Sequence, residues 1–418
     1  MKLIKSASIY IFASVLNKAV PFLLLPVFTK FLSPEEFGSL SLFLVANSCV
    51  IAFIGMNVSA NVTKNFFFLT KEELAVQIGD IFLLILGLTL FVFFLALFVF
   101  LIFPTAITID PFAILIMPFL SFFMMVNTVN LTILRNENRP IMFGIFEIAT
   151  TVLTMAVTLF LLIVVNYGWL SQVFGLLVAY GFFFFIAIGY MSKRGFLLFR
   201  PTKQGVSGIF WLSFPMVPYV LSGIAINAGD RILIERILGL DALGIYTVAY
   251  SFGLVVMLFS DAFNKAWSPW FYKKMANPVP SEKAMVVNVT YLYCLLIFCF
   301  AVLVSFVGKV VLPLAVDKRF HAAGDLIFWV ALAYCVQGVY KMFFPYFILV
   351  KKTRQVSVVL MISAAVGLVA GFVFIRSFGL IGAPWSVSVA WATALFLAVR
   401  FQMKNIVMPW GRRVETGF

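Results

Sequence analysis

Residues 17–43 read NKAVPFLLLPVFTKFLSPEEFGSLSLF, an apolar stretch that holds Lys18, Pro21 and Pro26 and then reaches an acidic turn. Its apolar part suits a membrane-spanning helix, which needs about 20 residues to cross a hydrocarbon core of about 30 Å. Pro21 and Pro26 break backbone hydrogen bonds and predict a bend, a hinge for the helix. Helix packing alone is the other explanation of these prolines.

The composition of the whole chain indicates a membrane protein. Of 418 residues, 63% are apolar and only 11% are charged, which is more apolar surface than a water-soluble domain can bury. The alternation of apolar and polar residues that marks outer-membrane barrels is absent. We therefore predict an all-α integral membrane protein.

Twelve apolar segments are long enough to cross a membrane. The loops between them are short, the longest being 192–207 and 264–284, and leave no room for a catalytic domain outside the membrane. The predicted spans are 7–31, 38–62, 78–103, 111–134, 141–165, 169–191, 208–229, 241–263, 285–308, 325–349, 355–375 and 380–402.

The basic residues predict the orientation of these spans. Both termini and the loops on their side hold 21 of the 30 lysines and arginines, the opposite loops hold 7, and Lys18 and Lys341 lie within spans. The positive-inside rule then places both termini on the cytoplasmic side of the membrane. The net charge of +14 also favours anionic membrane lipids as partners. Nucleic acid is a poor candidate, because no soluble basic domain is present.

The two halves of the chain resemble each other. FLSPEEFGSL (31–40) is similar to ILGLDALGIY (237–246), and two further landmarks repeat in the same order at an offset of about 206–216 residues. Chance similarity between apolar segments is the alternative. A duplication with six spans per half predicts two bundles related by a pseudo-two-fold axis along the membrane normal. The predicted parts are an N-terminal bundle at 1–191, a cytoplasmic linker at 192–207, a C-terminal bundle at 208–402 and a cytoplasmic tail at 403–418.

These segments also carry a family resemblance. Lys18 and Pro21, followed by KFLSPEEFGSLSLF, resemble the opening of the O-antigen flippases of the Wzx type. AGDRILIERILGLDALGIYTVAYSFG (228–253) resembles the seventh and eighth helices of that family, and AFNKAWSPWFYKK (262–274) resembles the segment after its eighth helix. The chain is identified, over essentially its whole length, as a member of the multidrug/oligosaccharidyl-lipid/polysaccharide exporter superfamily.

The resemblance implies a function. Flippases of this type move undecaprenyl-pyrophosphate-linked oligosaccharides from the cytoplasmic to the periplasmic leaflet. It implies a lipid-linked oligosaccharide as substrate, such as an O-antigen unit of lipopolysaccharide, and the polysaccharide polymerase machinery is a further candidate partner. We expect alternating access, with the first bundle rocking against the second around a positively charged site.

Four cations are candidates for binding the anionic head group of such a substrate. Lys18 and Lys341 lie within spans, where an ionisable side chain costs on the order of 3 kcal/mol and usually faces a cavity or a partner. The alternatives are snorkelling for Lys18 and a buried pair with an acidic residue for Lys341. Arg231 and Lys265 are the other two. An interfacial ion pair would also explain Arg231, and a pair with Asp261 one helical turn earlier would explain Lys265.

Three acidic residues within spans are candidates for proton or sodium coupling: Asp80, Glu147 and Asp261. A carboxyl group in the membrane is desolvated, which favours its protonated form unless a cation pairs with it. A salt bridge between Glu147 and Lys18 or Lys341 is the structural alternative, and the sequence does not decide between the two. No cysteine, histidine or carboxylate spacing typical of a metal site is present.

The sequence lacks the patterns of ATP use and of bond-breaking chemistry. It has no Walker A pattern, no GxSxG and no carboxylate pair in a soluble cleft, so we predict a transporter without a cofactor and not an enzyme. A multidrug exporter of the same superfamily is the closest rival, although it would favour acidic and aromatic side chains in its cavity. A membrane polysaccharide polymerase or glycosyltransferase would need a sizeable catalytic loop. A lipid II flippase usually has additional helices.

Overall fold

The computed structural model describes residues 20, 22–102, 110–276 and 279–411, and all regular structure within these ranges is helical. Short 3-10 helices lie at Phe214–Met216, Lys318–Asp325 and Gly379–Ile381. The α-helices are α1 (Leu25–Phe31), α2 (Pro34–Gly55), α3 (Val58–Asn65), α4 (Lys71–Ile102), α5 (Pro111–Asn136), α6 (Pro140–Ile163), α7 (Leu170–Lys193), α8 (Lys203–Ser213), α9 (Val217–Leu238), α10 (Leu240–Met275), α11 (Pro280–Ala315), α12 (Ile327–Leu349), α13 (Thr353–Phe378) and α14 (Gly382–Asn405).

The described helices confirm the prediction of an all-α membrane protein. Ten helical stretches among them are long and apolar enough to cross a membrane. The last, Arg354–Asn405, has 52 residues and contains the eleventh and twelfth predicted spans together. The first predicted span, 7–31, is described only in part and includes α1.

The second predicted span differs from the expectation of one continuous helix. It is divided at Met56 and Asn57, which both have positive φ angles, of 40° and 56°. These left-handed conformations separate α2 from α3, and asparagine is among the residues that adopt them most readily.

Side-chain caps define where several helices begin. The acidic turn after the opening stretch is a capping box: Glu36 accepts from the backbone N–H of Ser33 at 2.9 Å, and Ser33 accepts from that of Glu36 at 3.1 Å. Thr70 and Glu73 form the same box at the start of α4. The acidic residues at 35–36 therefore lie in the first turn of a helix, where the helix dipole favours negative charge.

The chain divides into two compact units. Unit 1 consists of the residues up to Leu32 and of Ser39–Leu221, and unit 2 consists of Ser33–Gly38 and Ser222–Phe418. The predicted linker at 192–207 lies within unit 1, because the N–H of Leu198 donates to the carbonyl of Ala75 on α4 at 3.1 Å. The domain limits proposed from the sequence stay a prediction.

Unit 1 is held together by apolar side chains from α2 to α8. Fully buried residues such as Ile54, Val62, Ile81 and Ile133 form one continuous cluster, and many phenylalanine rings pack around it. Burying a large aliphatic or aromatic side chain contributes roughly 1.5–3 kcal/mol relative to water, although lipid-facing positions gain less.

Unit 2 contains a close crossing between the first turns of α2 and α10. Gly38 lies against the carbonyl oxygen of Leu240, and Gly244 lies against the carbonyl oxygen of Pro34. A Cβ atom at either glycine would overlap that oxygen. Glycine at both positions therefore allows the two backbones to touch.

A 3-10 helix covers the same crossing. Phe320, which is fully buried, packs edge-on against Phe37 with 5.9 Å between ring centroids. Asp317 caps this 3-10 helix by accepting from the N–H of Arg319 at 3.0 Å and from its Nε at 2.9 Å. These hydrogen bonds, the backbone one first, lower the pKa of the Asp317 carboxyl group.

Candidate functional site

Four polar side chains join three apolar helices of unit 2 in a line that we call the polar row: Asn227 on α9, Gln337 and Lys341 on α12, and Asp261 on α10. Gln337 Nε2 donates to Asn227 Oδ1 at 3.0 Å. Lys341 Nζ donates to Gln337 Oε1 at 3.4 Å and to Asp261 Oδ1 at 2.6 Å. All three helices belong to candidate membrane spans, so the polar row puts two amides and an ion pair on helices that are long and apolar enough to cross a membrane.

The members of the polar row differ in exposure, and Asn227 is half-buried. Gln337 is only 4% exposed, whereas the side chains of Lys341 and Asp261 are 19% and 30% exposed. Gln337 and Lys341 are four residues apart and share one face of α12. The ion pair is therefore partly open to solutes, whereas Gln337 is not.

A second contact sets the position of α12 beside the polar row. Gly338 lies where a Cβ atom would come within 2.9 Å of the Tyr293 hydroxyl and 3.0 Å of the Ser260 hydroxyl. Those two hydroxyls are hydrogen bonded to each other at 3.1 Å. Ser260 directly precedes Asp261, so this glycine lets α12 approach the part of α10 that carries the acid.

A second cluster in unit 2 surrounds one cation, Arg231, with three tyrosines and the neighbouring Asp230. Arg231 on α9 is only 8% exposed, and its guanidinium carbon lies 3.8 Å from the ring centroid of Tyr250 on α10. The ring of Tyr334 on α12 packs against Tyr250 at 5.5 Å between centroids. The neighbouring Asp230 accepts a hydrogen bond from the hydroxyl of Tyr246. The arginine is thus held by cation–π contact, which contributes about 2 kcal/mol when it is desolvated.

The guanidinium of Arg231 keeps unused hydrogen-bonding capacity. Within residues 22–102, 110–276 and 279–411, neither its Nε nor its Nη2 has a hydrogen-bond partner. These two N–H groups form the edge that matches a carboxylate or phosphate bidentately. Asp230 bonds to Tyr246 and Arg231 stacks on Tyr250, and the two neighbours also interact electrostatically, so the ion pair stays the alternative explanation of Arg231.

The three acidic candidates have different surroundings. Asp261 belongs to the polar row. Asp80 is buried on α4 and accepts from the N–H of Thr202 at 3.0 Å. Thr202 caps α8 through its own hydroxyl, so Asp80 holds that cap in place. Glu147 is half-buried on α6 and lies in electrostatic range of Tyr180 on α7.

The other sequence-predicted residues do not join these clusters. Lys18 and Pro21 lie outside the described residues. Pro26 is in the first turn of α1, and the helix is interrupted two residues earlier, at Leu24. Lys265 is exposed on α10, and the acid one turn before it, Asp261, pairs with Lys341 instead.

Some members of the two clusters were not anticipated from the sequence. Asn227 is an amide in the middle of an apolar segment, and this alone could have marked it, since polar side chains within a membrane helix usually bond to another helix. Tyr250 and Tyr334 could not have been singled out in this way, because the chain has many other aromatic residues in apolar segments. No three His, Cys, Asp or Glu side chains come together as a metal site in the part of the chain that the structure describes.

Comparison with known proteins finds a relative in sequence and solved structures with a similar fold. The chain is 23% identical over 305 residues to protein 1 of the Lsg locus of Haemophilus influenzae, covering 71% of this chain and 72% of that protein. Among solved structures it is similar to the lipid II flippase MurJ in an inward closed conformation. The TM-score is 0.71, the identity is 14%, and the match covers 96% of this chain and 88% of MurJ.

A second solved structure gives the same result. It is an inward-facing multidrug resistance MATE family transporter of the MOP superfamily, with a TM-score of 0.68, 11% identity and coverage of 93% of this chain and 94% of that one. These likenesses confirm the predicted fold class, an all-α membrane protein. Residues 3–275 match the family described as "Polysaccharide biosynthesis protein", and the chain belongs to that family.

Proposed function

We propose that this protein is a flippase that moves an undecaprenyl-pyrophosphate-linked oligosaccharide, such as an O-antigen unit, across a bacterial inner membrane. Transport runs from the cytoplasmic to the periplasmic leaflet, with both termini in the cytoplasm. The observation that carries the proposal is the polar row, because it holds a partly exposed ammonium group and two amides among apolar helices. Membership of the family described as "Polysaccharide biosynthesis protein" supports a substrate from polysaccharide biosynthesis.

The chemistry of the polar row suits such a substrate. The head group is a pyrophosphate, whose negative charge requires a cation in a medium of low dielectric constant. The glycan presents hydroxyl groups, which exchange hydrogen bonds with amides such as those of Asn227 and Gln337. The polyprenyl tail is as apolar as the lipid and needs no polar path.

Other charged residues complete the proposal. Lys18, Arg231 and Lys265 add positive potential along the path, and bends at Pro21 and Pro26 serve the alternation between the two sides of the membrane. Proton or sodium coupling acts through Glu147 or Asp261, while the cap contacts of Asp80 favour a structural role. No cofactor takes part, and the polysaccharide polymerase machinery receives the product.

Complementation of a deletion strain tests this function. Wild-type protein should restore surface polysaccharide, and Lys341→Ala should not, although it reaches the membrane in equal amount. Lys309→Ala is the matched control, because that lysine is also in unit 2 but its side chain is 57% exposed. Lys18→Ala should behave as Lys341→Ala does. Normal polysaccharide in the deletion strain, with increased drug sensitivity, would show a drug exporter and overturn the proposal.

A further inference from the structure

The ion pair at one end of the polar row points to a device for binding and release. We propose that the carboxylate of Asp261 occupies the place of the substrate's phosphate on the ammonium group of Lys341, and that the two anions exchange during each transport cycle. This inference rests on the proposed function. It assigns Asp261 the role of a competitor for the cation, which is a different role from ion coupling.

The geometry of the pair supports an exchange. Lys341 Nζ contacts Asp261 Oδ1 at 2.6 Å, the distance of a strong charge-assisted hydrogen bond. A phosphate oxygen accepts from an ammonium group at a similar distance, so it fits the same position. Both side chains of the pair are partly exposed, so an anion can reach the ammonium without unfolding of the helices.

The charges of the polar row determine what exchange accomplishes. Asn227 and Gln337 are neutral, so Lys341 is the single cation of the polar row and Asp261 is its single anion. An ammonium group at membrane depth is costly when unpaired, and the carboxylate removes that cost while no substrate is bound. When a phosphate arrives, two anions face one cation. The phosphate repels the carboxylate of Asp261, which then moves away from the ammonium group of Lys341.

The same competition explains release. After the substrate has crossed, the returning carboxylate offers the ammonium group an alternative partner, so the phosphate leaves without exposing an unpaired charge to the membrane. Without the carboxylate, the ammonium group would hold the phosphate more tightly, and turnover would become slower. Asp261 therefore lowers the affinity for the substrate and raises the rate of transport.

The neighbouring contacts indicate how Asp261 can move. The adjacent Ser260 is fixed by its hydrogen bond to Tyr293 at 3.1 Å, so the backbone of α10 is anchored at this level. Exchange then proceeds through a rotamer change of the aspartate, which is a rapid motion compared with the movement of helices. Asp261 therefore responds to the ligand, and the helix that carries it stays in place.

Binding measurements on the purified protein test this exchange. The probe is undecaprenyl pyrophosphate in detergent micelles, and neutral undecaprenol is the comparison. We expect Asp261→Asn and Asp261→Ala to tighten binding of the pyrophosphate by about fivefold. Asp261→Glu should bind as the wild type does, and Lys341→Gln should weaken binding. Asp325→Asn is the matched control, because that acid is also in unit 2 but is 88% exposed.

The outcomes separate this inference from the proposed function. If Lys341→Gln weakens binding but neither neutral variant at position 261 tightens it, the exchange is wrong and the flippase proposal stands. If wild-type protein binds undecaprenyl pyrophosphate no more tightly than undecaprenol, the proposed function fails, and the exchange fails with it. A melting curve in detergent for each variant shows that any loss of binding does not come from unfolding.

Discussion

Gly38 and Gly244 occupy equivalent positions at one helix crossing. Each lies four residues after a residue whose carbonyl oxygen touches the other glycine: Pro34 precedes Gly38 and Leu240 precedes Gly244. The two glycines are 206 residues apart and belong to the repeated segments 31–40 and 237–246. The contact is therefore reciprocal, with a local two-fold relationship between the first turns of α2 and α10.

Alanine at either glycine should destabilise the protein. In Gly38→Ala or Gly244→Ala the new methyl group overlaps a carbonyl oxygen, which cannot rotate away, so the helices must separate at a cost of about 1–3 kcal/mol. The measurement is the melting temperature in detergent. Gly87→Ala is the control, because nothing lies within 4 Å of a Cβ atom there. Equal melting temperatures for all three variants would show that the helices do not touch at this crossing.

Replacing Arg231 by lysine should lower the stability of the protein although the charge is unchanged. The flat guanidinium stacks on Tyr250, and a lysine lacks the planar surface for that contact. We expect Arg231→Lys to lower stability by about 1–2 kcal/mol in a thermal unfolding assay. Arg236→Lys on the same helix is the control, because its side chain is 62% exposed. An unchanged melting temperature for Arg231→Lys would mean that charge alone matters at position 231.

Two substitutions of Asp80 distinguish a structural role at the start of α8 from a role in ion coupling. Asp80→Asn keeps an oxygen that accepts from the N–H of Thr202, so a cap tolerates it and transport should persist. Asp80→Ala removes the acceptor and should lower stability by about 1 kcal/mol. Surface polysaccharide and melting temperature are measured together. Loss of polysaccharide in a stable Asp80→Asn protein would restore the coupling role.

The amides of the polar row should depend on each other. Asn227→Leu leaves the buried amide of Gln337 without its acceptor, which costs about 1–3 kcal/mol. The double variant Asn227→Leu, Gln337→Leu should recover part of this loss, because both polar groups are then removed. A double-mutant cycle on unfolding free energies measures the coupling, which we expect to be about 1 kcal/mol. Strictly additive losses would mean that the two amides do not bond.

The membrane helices are predictable because their signal is local. A segment such as 78–103 is recognised by its continuous apolar composition, and α4 covers all of its described residues. The break of the second span at Asn57 is not predictable, since an asparagine in a left-handed conformation looks the same in sequence as one within a helix. The capping box at Ser33 and Glu36 is visible in the sequence as an acidic turn, although its reciprocal bonds require the structure.

The partners of the charged residues could not be predicted, because they are distant in sequence. An intramembrane Lys341 predicts a partner, but several acids could have served, and Asp261 is 80 residues away. Arg231 has an acid beside it in the sequence, whereas tertiary packing places Tyr250 under its guanidinium. Such pairings are decided by which faces of the helices meet, and hydropathy does not encode that.

The most direct test of the central claim is transport by purified protein in liposomes that contain an undecaprenyl-pyrophosphate-linked oligosaccharide. The measured quantity is the rate at which lipid-linked glycan in the inner leaflet becomes accessible to a glycan-modifying reagent outside. We predict that wild-type protein and Lys309→Ala raise this rate well above that of empty liposomes, and that Lys341→Ala does not. A wild-type rate equal to that of empty liposomes, or an undiminished rate for Lys341→Ala, would contradict the account.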